Sequence, residues 1–230
     1  MNTLERSTTR AAALLCTAFG FGLCGAGPPP EGSEAGLILS GGKRVYTERG
    51  CGGEVYRTEH QELSAHTQLS HRFANGVSVS TEGGIMNDHT NGVDQQIGVL
   101  AERVGYHGSH AGFELGVAEL MIEDEVFVGP SWTAWAGAPE VHVWCDALSG
   151  PLSAAAIPLG MGLGGRTERF RWRVGALGSL TEEWQVGPTA HAEGQLKVKD
   201  LWVGLGASMH DPDTWRGQLM LAFDFGGPGH

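Results

Sequence analysis

Beyond residue 26 the 230-residue chain holds only two of its four cysteines, Cys51 and Cys145, with no Cys-x-x-Cys and no paired Cys/His spacing. A structural zinc site has no ligand set here. Positive charge is scarce as well, with 15 Lys+Arg against 26 Asp+Glu and a formal charge of -11. Such a balance repels phosphate backbones, so a nucleic-acid partner is excluded. Charged residues make up only 18% of the chain, against roughly 25% in ordinary soluble domains, which argues against a helical bundle. After residue 26 no run reaches the roughly 18 apolar residues of a membrane-spanning helix. A membrane could be crossed only by strands. What the chain has in excess is glycine, 37 residues, and tryptophan, seven against three tyrosines.

The amino end is ordered like a secretory signal. Arg6 and Arg10 precede the apolar run from Ala11 to Leu23, which is too short to span a bilayer. Residues 1–26 are therefore expected to be removed, with cleavage before Cys24 or after Ala26. Cleavage before Cys24 would leave a cysteine available for lipidation, although bulky Leu23 stands where a lipobox wants a small residue. Residues 27–40, rich in Gly and Pro, read as a flexible tether. A Cys51–Cys145 bridge is allowed in an oxidising envelope, as are two free thiols.

The decisive pattern is alternation with period two, which sends successive side chains to opposite faces of a strand. From Gln218 to Phe225, Leu219, Leu221, Phe223 and Phe225 share one face. From Asp200 to Ser208, Leu201, Val203 and Leu205 alternate with Asp200, Trp202, Gly204 and Gly206. From Arg169 to Ala176, Phe170, Trp172 and Val174 oppose Arg169, Arg171 and Arg173. Just upstream, Gly160, Gly162 and Gly164 form a face almost without side chains, making room for long guanidinium groups. In Gly112–Ile122 the apolar parity switches after Val117, and Ile97–Tyr106 switches in a similar way, as a β-bulge would cause. With turn signals such as Ala74-Asn75-Gly76 and Asp211-Pro212-Asp213, about twelve strands are predicted, ten being the alternative.

A soluble sandwich would turn its polar face to water. Here the apolar face ends in large aromatics, and the other face mixes small residues with charges of both signs. That suits a closed antiparallel up-and-down barrel with lipid outside and a narrow polar bore within. In this pattern, over roughly residues 41–226, the chain resembles the small bacterial outer-membrane β-barrel proteins of Gram-negative envelopes, porin-like in kind. Members of that family usually end on an aromatic residue read by the insertion machinery; this chain reaches Phe225 and then adds Gly226-Gly227-Pro228-Gly229-His230. The resemblance implies a barrel over 41–226, a tail over 227–230 and a place in the outer membrane. It also implies contact with outer-membrane lipid, the barrel-insertion machinery and other envelope proteins, and it implies no cofactor. A secreted or lipid-tethered soluble β-domain that binds a ligand, in the periplasm or at the cell surface, is the alternative.

The lumen is expected to hold a charge cluster of Arg169, Arg171, Arg173, Glu82, Glu102, Glu193, Asp200 and Asp224. It is read either as a transverse field that selects solutes or as charges pairing across a closed interior. The lipid-facing set is Phe170, Trp172, Leu201, Val203, Leu205, Leu219, Leu221, Phe223 and Phe225. His107-Gly108-Ser109-His110-Ala111-Gly112 is superficially similar to the His-x-Ser-Asn-Ala-Gly stretch of the lipid A deacylase barrels, with His110 in place of Asn. That likeness implies Ser109 as nucleophile and His107 as base, with Glu119 and Glu123 as loose candidates for the orienting acid. A loop rich in Gly, Ser and His for conformational reasons is the simpler reading, so no catalytic residue is assigned. No histidine pair has the spacing that sets two ligands on one strand face, and no metal site is expected. The tryptophans read as girdle or barrel-filling residues. A carbohydrate platform would need Trp135, Trp144 and Trp202 facing inward. The leading function is a narrow passive channel or a structural subunit of an envelope complex.

Overall fold

The computed structural model describes residues 32–49, 55–90, 93–122, 124–148, 157–180 and 189–225. The strands in chain order are β1 (Gly32–Arg49), β2 (Val55–Arg72), β3 (Val77–Thr90), β4 (Val93–His107), β5 (Ala111–Ile122) and β6 (Glu125–Ala138), followed by β7 (Val141–Leu148), β8 (Ile157–Arg166), β9 (Phe170–Leu180), β10 (Thr189–Val198), β11 (Leu201–Asp211) and β12 (Thr214–Phe225). Each pairs antiparallel with its sequence neighbours, and β1 pairs with β12, so the ladder closes into a barrel. The predicted count of twelve and the up-and-down topology hold.

Both described ends, Gly32 and Phe225, lie at one rim, together with the short connections 73–76, 108–110, 139–140, 167–169 and 199–200. This rim is the turn end. Gly76 occupies one of these turns with φ +87°, and a Cβ there would meet the His107 carbonyl at 2.8 Å. Only glycine fits such a corner without strain. The opposite rim, the loop end, carries the other connections.

Alternation decides which face looks out. Leu219, Leu221, Phe223 and Phe225 share the outer parity of β12, and Arg216, Gln218, Met220 and Ala222 are buried inside. The same rule places Phe113, Leu115, Val143, Leu163, Val203 and Leu205 outside, each at least one-third exposed. The result is an apolar belt running right round the cylinder.

Two sequence expectations are corrected. First, β1 begins at Gly32, so residues 32–40, expected in the tether, are part of the wall; Ser33–Ser40 pairs with β2 on one side and β12 on the other. A closed ladder needs a strand between those two, and Leu37 and Leu39 supply its outer face. Second, no bulge interrupts β4 or β5: the β4–β5 and β5–β6 registers run unbroken. The parity change arises because the inner face itself becomes apolar there. Met86, Ile97, Val99, Ala101, Ala118 and Leu120 form a buried cluster inside the barrel, with Ile122 and Phe127 packed on it. Residues 1–31 lie outside the described residues, and with them the expected signal peptide and Cys24. So do Cys51 and the tail 227–230. Cys145 is a free thiol on the outer parity of β7.

Candidate functional site

Strands roughly 4.8 Å apart and tilted about 40° enclose, when twelve close, a cylinder of roughly 12 Å backbone radius. Side chains from opposite walls can meet only if they are long. At the turn end they do meet. Glu34 is the third residue of β1, Asp224 the last but one of β12, Arg166 the last of β8 and Arg171 the second of β9. Arg171 donates from Nη1 to Glu34 Oε2 at 2.7 Å, and from Nε and Nη2 to Gln195 Oε1 at 2.8 and 2.6 Å. Arg166 lies 3.8 Å from the same Glu34 oxygen and 3.6 Å from Asp224 Oδ2. Lys197 Nζ and Trp202 Nε1 both donate to Asp224 Oδ2, at 2.7 and 2.9 Å. Strands β9 to β12 separate Arg166 from Glu34 along the wall, so these contacts are chords across the bore. The Arg171 and Arg166 guanidinium carbons lie 4.7 and 4.9 Å from the centre of the Trp202 ring, within cation–π range.

Deeper in, Arg173 donates from Nη2 to Asp146 Oδ2 at 2.8 Å, and its guanidinium carbon lies 3.9 Å from the centre of the Trp144 ring. Thr133 also donates to Asp146, and His191 Nε2 bonds Glu193 at 3.2 Å. Glycine makes this layer possible. A Cβ on Gly175 would stand 2.8 Å from the Trp144 ring and would clash with the Met161 carbonyl oxygen. Each buried carboxylate and guanidinium thus has partners, which offset the large desolvation cost of placing charges out of water.

A third group sits under β3 to β6. Trp135 Nε1, which can only donate, bonds His107 Nδ1 at 2.8 Å. His107 must then carry its proton on Nε2, which bonds Glu114 Oε1 at 3.0 Å. Ser78 and Ser80 donate to the two Glu114 oxygens at 2.7 and 2.9 Å. On neighbouring wall segments Arg103 bonds Ser131 at 2.6 Å and Glu82 at 3.4 Å, and Arg216 bonds Ser40 and Ser64 at 3.0 and 2.7 Å.

The structure sorts the expected lumen cluster. Arg171, Arg173, Glu82, Glu193 and Asp224 lie inside. Arg169 does not: it is exposed in the turn between β8 and β9. Asp200 likewise sits exposed in the turn between β10 and β11. Both have inward parity, but the chain has already left the wall. Glu102 has the outer parity of β4 and is exposed, with Ala101 and Arg103 buried inside on either side of it. The nine residues expected to face outward all have outer parity. Trp132 and Trp215 join them there. Trp135, Trp144 and Trp202 do face inward, but they are only 3%, 2% and 1% exposed. No ring face is open to a sugar. The hydrolase constellation is not assembled: both His107 nitrogens are engaged elsewhere, and Ser109 Oγ bonds His110 Nδ1 at 2.8 Å in an exposed turn. Glu119 points outward, and Glu123 lies outside the described residues.

Several inward residues escape sequence reading. Glu34 falls in the supposed tether, and Arg166 closes a glycine run. Lys197 and Arg216 share parity with Glu193 and Gln218, a signal that was present but weak.

Comparison with solved structures gives the same wall. The translocator domain of the autotransporter NalP from Neisseria meningitidis superposes with a TM-score of 0.58 at 10% identity, covering 96% of this chain and 98% of that one. The KdgM porin superposes with 0.55 at 11% identity, covering 83% and 99%. The COG4313 outer membrane channel from Pseudomonas putida F1 gives 0.53 at 10% identity, covering 88% and 99%. The chain has the fold of these outer-membrane barrels. No family model matches the chain, and no curated protein matches it either.

Proposed function

We propose that the chain is an outer-membrane β-barrel acting as a narrow passive channel, with its bore constricted at the turn end by the ionic layer around Trp202. The observation that carries this reading is the set of chords from Arg166 and Arg171 to Glu34 and Asp224. A soluble domain rarely exposes a contiguous apolar patch beyond a few hundred Å², whereas this cylinder exposes a belt round its whole girth. Hydrocarbon covers such a belt at no cost, which supports the outer membrane over a secreted or tethered soluble domain. In that setting the turn end faces the periplasm. Outer-membrane lipid and the insertion machinery are the partners this location brings.

The buried inner rings favour one second reading, a structural subunit whose bore never opens. Planar-bilayer recording separates the two. A channel gives small or brief currents in the native chain and larger ones in Glu34→Gln. Silence from both leaves the structural reading. A gel shift on boiling of the detergent-extracted protein checks closure of the barrel itself.

A further inference from the structure

One sector of the apolar outer wall carries carboxylates. Behind β3 to β5, towards the loop end, the inner face is the apolar cluster of Met86, Ile97, Val99, Ala101, Ala118 and Leu120, while Glu82, Arg103 and Glu114 lie inside nearer the turn end. On the outer face of that sector stand two exposed carboxylates, Glu102 and Glu119. They are diagonal neighbours, since Glu102 pairs with Val117 and Leu100 with Glu119. Glu102 lies midway along the outer face of its strand between Tyr106 and Gly98. Val104 and Leu100 flank it along the strand, and Thr81 and Val117 flank it sideways. Tyr106 stands nearer the turn end and Gln96 nearer the loop end on the same outer face. On β3 the outer-face partners of Leu100 and Glu102 are the small residues Gly83 and Thr81. On β7 to β10 and on β12 the outer parity carries Val, Leu, Ile, Ala, Phe, Met, Trp, Gly or Cys and no carboxylate.

We propose that this sector is a docking face for a second membrane-embedded polypeptide that presents a lysine or arginine at the depth of Glu102. Charge complementarity selects that occupant. A carboxylate against hydrocarbon is unfavourable, and an opposite charge arriving at the same depth relieves it. Small residues let the partner's backbone approach closely. A second copy fits less well: two copies inserted in the same direction and related by a symmetry axis along the membrane normal would set Glu102 against Glu102. Among the described residues, the outward cations Lys43 and Arg57 lie towards the loop end and already have Glu59 and Asp213 beside them.

The test uses the folded full chain in phosphatidylcholine vesicles. The probe is an acceptor-labelled synthetic helix of about 20 Leu and Ala residues with one central arginine; a matched helix carries leucine there. Energy transfer from the protein's tryptophans reports association. The expected result is at least tenfold tighter association of the arginine helix, lost in the Glu102→Leu/Glu119→Leu double variant. Boiling-dependent gel mobility checks that this variant folds, and Glu102→Gln/Glu119→Gln, with nearly unchanged shape, is expected to lose the same preference. Equal association of both helices, or a preference that survives both double variants, overturns the proposal. Self-association of the native chain that the double variants abolish would assign the face to a second copy and overturns it too.

Discussion

Arg171 and Glu34 meet across the bore, Nη1 to Oε2 at 2.7 Å, although β10, β11 and β12 lie between their strands on the wall. One bond ties two distant parts of the cylinder and occupies the space a solute would need. Glu34→Gln removes the charge that holds Arg171 and Arg166 together. Breaking one side of a buried pair costs roughly 3–5 kcal/mol of stability. Single-channel conductance is expected to rise several-fold, and the reversal potential in a salt gradient to move towards anions, because three cations then face Asp224 alone. An unchanged current amplitude and reversal potential would place the constriction elsewhere.

Trp144 fills the space over Gly175 and stacks on Arg173. Trp144→Ala is expected to cost about 3–5 kcal/mol through the lost packing. Gly175→Val attacks the same contact from the other side and is expected to cost at least about 1–3 kcal/mol by overpacking. Urea unfolding in lipid vesicles, followed by tryptophan fluorescence, measures both. If either substitution were neutral, the ring would not lie on the glycine.

Val203 is on the outer face of β11 and Ser208 on its inner face. Val203→Arg puts a charge against hydrocarbon, at about 2–4 kcal/mol if it lies near the midplane. Ser208→Glu enters the bore beside Arg216, its cross-strand partner on β12, and a clearly smaller loss is expected from the same unfolding experiment. The reverse order would mean that the faces had been exchanged.

The Trp135–His107 contact makes a prediction about a proton. Because the indole can only donate, nitrogen-15 spectra of histidine-labelled protein are expected to show His107 neutral, with Nδ1 bare and the proton on Nε2. Trp135→Phe is expected to release that tautomer preference and to shift the His107 signals. A His107 that carries both protons in the native chain contradicts the geometry.

Much of the wall was legible because β9, β11 and β12 place apolar residues against Arg, Gly and Gln with few exceptions. Period two then specifies both strand and face. It fails where both faces are greasy: around Glu102, parity separates two sets of residues without saying which looks outward, and only the pairing with β3 and β5 decides. It also runs on past the end of a strand, so Arg169 and Asp200 kept the parity of the wall after the chain had turned away from it. Glu34 was missed for a different reason. Gly32–Ser40 follows the proline run and begins with small residues, and its strand character comes from the β2 and β12 edges it joins rather than from its own propensities. Chords across a bore leave no trace in local order at all, because Arg166 and Glu34 are more than half the chain apart.

The seam between β1 and β12 sets Ser33 beside Phe225. A ribosome has therefore threaded out the eleven earlier strands before the last piece needed to shut the cylinder exists. Until then two raw edges remain, ready to stick to any neighbouring ribbon. A version truncated before β12 would keep eleven hairpin-linked staves and no hoop, and it would be expected to accumulate as aggregate rather than as a smaller barrel.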